Sequence, residues 1–99
     1  MKYFLYKLIP PRTTFLQDMT ESEEKVMQKH IGYWKDFADR GIAIIFGPVL
    51  DPMGAYGLAI IETKDEAVVG DIGTNDPAIK EGVGFSFEIY SMPEPILRK

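Results

Sequence analysis

Two residues in this sequence carry chemistry that their neighbours do not: His30, the only histidine, and Asp76, in the turn Thr74-Asn75-Asp76-Pro77. Imidazole has an ordinary pKa of about 6.5, so it can accept and release a proton near neutrality. A carboxylate beside it can hold one ring nitrogen and leave the other free to act on a bound molecule. The pair reads as a His/Asp site suited to proton transfer, such as removal of a proton α to a carbonyl with elimination or isomerisation following. Each residue also has a plainer role. A lone histidine on the apolar face of a helix is more often a hydrogen-bonded core residue than a catalyst. An Asp before Pro is an ordinary helix N-cap, a role that stabilises by about 1 kcal/mol.

Other chemistries find little support. Ser22 and Ser86 stand alone, and the absence of cysteine removes thiol nucleophiles, disulfides and thiolate metal ligands. One imidazole without a second at i+4 does not make a zinc site, and the glycines form no GxGxxG or P-loop pattern, so neither metal nor cofactor is expected. The chain has 11 Lys and Arg against 15 Asp and Glu, a formal charge of −4, with the basic residues scattered among acids. Phosphate binding needs clustered cations, so no nucleic-acid partner is expected. Lys7 breaks the first apolar run and Pro10-Pro11 ends it, unlike a signal peptide, and no run reaches transmembrane length. With no cysteine, these features make a cytoplasmic protein with no membrane role the expectation.

The elements that must position His30 and Asp76 follow from periodicity. Residues 2–9 alternate as a strand rich in aromatic and branched side chains. Thr20-Glu21-Ser22-Glu23 is a capping box, with acids suited to the helix dipole, and predicts a helix running to about Arg40, where Gly41 supplies the stop. On that helix Val26, His30, Tyr33 and Phe37 form one ridge, and Met27, Ile31, Trp34 and Ala38 the next. Tyr33, Trp34 and Phe37 are expected in the core or lining a pocket. Residues 42–49 form a nearly continuous apolar run, predicting a strand buried on both faces. The turn Leu50-Asp51-Pro52-Met53-Gly54 then makes a hairpin with a strand over 55–62, and a turn former is the simplest reading of Asp51. Thr63-Lys64-Asp65-Glu66 reads as a second capping box for a shorter helix weakened by Gly70 and Gly73. Asp76-Pro77 begins a short turn through Glu81, and residues 84–90 alternate as the last strand.

The 99 residues thus predict a single α+β domain over 1–99, of order β-α-β-β-α-β. Right-handed crossovers turn that order into a ferredoxin-like antiparallel sheet with both helices on one face. The other face would be bare in one copy, and packing two such faces together would make a dimeric α+β barrel, so a homodimer through the sheet is expected.

The chain resembles the YCII-related proteins of the dimeric α+β barrel superfamily over nearly its whole length. The resemblance rests on His30 with Tyr33-Trp34, on Phe46-Gly47-Pro48-Val49-Leu50-Asp51-Pro52 with Gly54 and Gly57, and on Asp76-Pro77-Ala78-Ile79, in the family's order and spacing. It implies a homodimer with a His/Asp pair, here His30 and Asp76, in a pocket between helix and sheet. Gly47, Pro48, Asp51 and Pro52 would shape the pocket wall, with Phe46, Tyr33 and Trp34 beside them. Many members carry an Arg-Pro pair shortly before the histidine; here Met27-Gln28-Lys29 stands in its place, so no guanidinium is expected beside His30. Two function classes remain: a lyase or isomerase-like enzyme acting on a small molecule, and a non-catalytic dimeric module holding a ligand in the same pocket. A heme-degrading or cofactor-free oxygenase, known among barrels of this shape, is a weaker third that rests on fold analogy alone.

Overall fold

The strand order is set by the central strand, and the central strand by its alternation. In the computed structural model, which describes residues 1–98, β1 (Lys2–Ile9) buries Phe4, Tyr6 and Leu8 on one face and turns Tyr3, Leu5, Lys7 and Ile9 to the other. It pairs antiparallel with β3 (Tyr56–Thr63) on one side and β4 (Ser86–Ser91) on the other. β2 (Ala43–Val49) pairs with the outer edge of β3, giving the order β2-β3-β1-β4. This is the expected ferredoxin-like arrangement: a four-stranded antiparallel sheet whose two crossovers each span one intervening strand.

The crossover from β1 to β2 is α2 (Glu21–Asp39), and its ends are closed as the sequence predicts. The Thr20 hydroxyl accepts from the Glu23 amide at 3.2 Å, and Glu23 Oε1 accepts from the Thr20 amide at 2.9 Å. At the other end Gly41 adopts φ 78°; its amide donates to Ala38 and the Ile42 amide to Phe37, the paired bonds of a Schellman stop. The second crossover contains α3 (Glu66–Thr74) and α4 (Pro77–Lys80). α3 approaches the sheet so closely that a Cβ on Gly73 would sit 2.7 Å from the Phe87 ring and 2.9 Å from Tyr6. A side chain there would overpack the core. The core lies between these helices and one sheet face, around Phe4, Tyr6, Trp34, Ile61, Val69 and Ile72.

Several expectations need correction. The second helix is capped by Asp65, whose carboxylate accepts from the Val68 amide at 3.1 Å; Thr63 instead continues β3, paired with Lys2. The strand register outlasts the capping pattern by one residue. β2 is not buried on both faces: it is an edge strand with a bulge at Ile44, and Ile44 and Ile45 are 44% and 60% exposed. β4 starts at Ser86 because Gly84, at φ 101°, turns the chain against Pro11, where a Cβ would lie 2.9 Å away. A single helical turn, α1 (Phe15–Asp18), lies between β1 and α2, where the sequence shows no helical period. Phe15 anchors it in the interior, and the Arg12 guanidinium ties it to α2, contacting Asp18 at 2.7 Å and Glu23 at 2.8 and 2.9 Å. Arg12 first, then the Thr20 amide, holds the Glu23 carboxyl down at about 2, so this clasp stays ionised at neutral pH.

The sheet face away from the helices carries Leu5, Ile45, Leu58 and Ile60, neighbours across β1, β3 and β2, with Tyr90 opposite Leu5. Lys7 and Glu88 face each other on the same surface. No described helix is long and apolar enough to cross a membrane.

Candidate functional site

Three elements converge on one carboxylate. Asp76 sits before α4, where Pro77 takes the first helical position without wasting an amide and the Asp side chain caps the turn. The residue has no exposed surface. Oδ1 accepts from the Ala78 amide at 2.9 Å and from His30 Nδ1 at 2.9 Å. Oδ2 accepts from the Trp34 indole at 2.7 Å and the Tyr6 hydroxyl at 3.2 Å, with His30 Nδ1 at 3.1 Å. Four donors thus replace the water that a buried carboxylate forfeits, a loss otherwise of several kcal/mol.

Spacing on the elements explains who can reach it. His30 and Trp34 stand four residues apart on α2, one above the other on the face that meets α4 and the sheet. Tyr6 comes up from β1, its ring centroid 4.9 Å from that of Trp34. Burial first, and then the negative charge of Asp76, raises the Tyr6 phenol far above its ordinary range, so it remains a neutral donor. The same two causes push Tyr33 up to about 12; its hydroxyl donates to the Ile72 carbonyl at 2.7 Å.

An ionised carboxylate can only accept, so the hydrogen bond to Asp76 places the proton of a neutral His30 ring on Nδ1 and leaves a lone pair on Nε2. The His30 side chain is 15% exposed, and no buried polar side-chain atom among the described residues lacks a partner. Nε2, which bonds nothing in the described protein, is therefore open to solvent. His30 stands in the wall of a cavity of about 210 Å³ between α2, α1 and the sheet.

Of the residues expected at the pocket, Trp34, Phe46, Gly47 and Pro48 line this cavity with His30. Tyr33 and Asp51 do not. Tyr33 packs edge-on against Trp34 and Phe37 behind the site. Asp51 accepts from the Met53 amide at 2.9 Å within its own turn and borders a separate, shallow depression near Lys7 and Arg12. Sequence reasoning missed Tyr6 as a partner of Asp76. The signal was present: Tyr6 alternates in phase with buried Phe4 and Leu8, and a buried tyrosine needs a partner for its hydroxyl. It also missed Leu16 and Met19, which α1 brings to the cavity mouth. Among the described residues no three His, Cys, Asp or Glu side chains gather as metal ligands.

Chemically, Nε2 can take a proton from a molecule in the cavity while Asp76 stabilises the resulting imidazolium and prevents the ring from rotating. The carboxylate is equally a structural tie. Asp76→Ala is expected to lower stability by about 3–5 kcal/mol in urea unfolding, since it strands the Tyr6, Trp34, His30 and Ala78 donors together. A loss below about 1 kcal/mol would show that water replaces the carboxylate easily.

The sequence model of the YCII-related domain matches residues 1–93. No curated protein matches the chain. That match takes in every strand and helix described above, and the chain belongs to the YCII-related domain family.

Proposed function

We propose that this protein is a lyase or isomerase-like enzyme in which His30, through Nε2, is the general acid/base for a small molecule held in the cavity. Asp76 fixes the tautomer and Trp34 and Tyr6 fix Asp76. What supports this reading is the division of labour at the ring: Nδ1 is bound at 2.9 Å to a fully buried carboxylate, Nε2 has no protein partner, and His30 stands in the wall of an open cavity. Removal of a proton α to a carbonyl, with elimination or isomerisation following, needs little more than this base and a shaped pocket. A second reading, a module that holds a ligand without turning it over, is favoured by the saturation of Asp76: its four donors would be needed for folding alone. Exchange of the α-protons of acetophenone and cyclohexanone in D2O, followed by NMR, separates the two. The enzyme reading expects exchange of at least one to fall about 100-fold or more in His30→Gln. Equal rates in wild type, variant and buffer would leave the binding module.

The functional unit in this proposal is a cytoplasmic homodimer joined through the uncovered sheet face. Its support is the apolar cluster of Leu5, Ile45, Leu58 and Ile60 beside the opposed charges of Lys7 and Glu88, which a two-fold partner can match. Sedimentation equilibrium is expected to give twice the chain mass, and Ile45→Asp, at an exposed edge position, to give the monomer. Monomeric wild-type protein would refute the assembly.

A further inference from the structure

The cavity wall is unusual for what it lacks. Among the residues lining it there is no Lys, Arg, Asp or Glu. The indole N–H of Trp34 and the hydroxyl of Tyr6, the polar atoms nearest His30, are both committed to Asp76. Tyr56 reaches the rim, but its ring turns to the Lys7 ammonium, 4.6 Å away on the sheet's other face. The nearest guanidinium, Arg12, is held by Asp18 and Glu23, and Lys29 lies 3.7 Å from Glu81. His30 Nε2 is thus the one free polar side-chain atom that the interior of the cavity offers.

From this we infer that the ligand of the His30 cavity is an uncharged, single-ring molecule carrying one hydroxyl that donates to Nε2. The inference rests on the reading of the cavity as the site of the reaction and narrows it to a substrate class. Size sets the ring: a cavity of about 150 Å³ takes benzene, and this one has about 210 Å³, enough for a ring and a short substituent. Aromatic walls at Phe15, Trp34, Phe46 and Phe85 suit a flat ring. Charge is excluded from both signs. A carboxylate or phosphate would lose its water and meet no cation, and the buried Asp76 behind His30 would repel it. An ammonium would meet no carboxylate, because Asp76 has no surface in the cavity.

Trp34 is the only tryptophan and lines the cavity, so its emission reports occupancy without ambiguity. Benzyl alcohol, benzoate and benzylammonium share one ring and one-carbon arm and differ in charge; they would be titrated at about pH 8, above the ordinary range of imidazole. The expected result is saturable change with benzyl alcohol at a Kd at least tenfold below that of either ion, and a shift of the His30 Nε2 resonance on binding. A charged probe that binds as tightly, or no saturable response in Trp34 or His30 to any probe, overturns the assignment. Failure of the acid/base reading shows elsewhere, as equal proton exchange in wild type and His30→Gln, and leaves this order of affinities untouched.

Discussion

A carboxylate with no exposed surface must be solvated by the protein, and that requirement at Asp76 organises the molecule. Its donors come from the central strand, the long helix and the turn that opens α4, so the contacts can form only when sheet, α2 and the second crossover are all in place. The residues bonded by side chain lie 42 to 70 positions from Asp76 in sequence. Charge-assisted bonds of this kind are directional and about twice as strong as neutral ones, and a half-satisfied set would be worse than an apolar core. The network thus specifies how the layers register as well as stabilising them.

The same geometry makes the imidazole asymmetric. Because Asp76 takes Nδ1, the histidine cannot turn its second nitrogen inward, and the cavity receives a lone pair at a fixed place. The walls around that point are largely apolar, so a molecule that displaces water from the cavity makes a stronger hydrogen bond to Nε2. Tyr6 projects from a strand, His30 and Trp34 from a helix, and Asp76 from the turn that opens α4.

Much of this was legible in the chain, and the exceptions have physical causes. The single histidine on the apolar side of its helix, and an Asp marked by the following Pro, pointed to the pair. The Thr20 box and Gly41 stop fixed the helix that carries it. Tyr6 stands in phase with Phe4 and Leu8 in the sequence, but alternation alone names neither the buried phase nor the residue 70 positions away that waits there. Thr63 and Asp65 could each cap the next helix, and only the pairing of Thr63 with Lys2 decides between them. In β2 an unbroken apolar run cannot be distinguished from one whose outer face awaits a partner, which is why Ile44 and Ile45 are exposed. α1 has four residues, too few for a period to show. Asp51 spends its side chain on its own turn, a use that the Asp-Pro pattern permits as readily as a pocket role.

The central claim is that Asp76 dictates which nitrogen of His30 meets the cavity, and the ring's ¹⁵N spectrum reads this directly because one histidine gives one pair of signals. At a pH where the ring is neutral, the wild type should show a protonated Nδ1 and a bare Nε2, the reverse of the form that free imidazole side chains prefer in water. In folded Asp76→Asn the preference should move toward the protonated Nε2 form. A wild-type ring protonated at Nε2, or a tautomer indifferent to the substitution, would contradict the account.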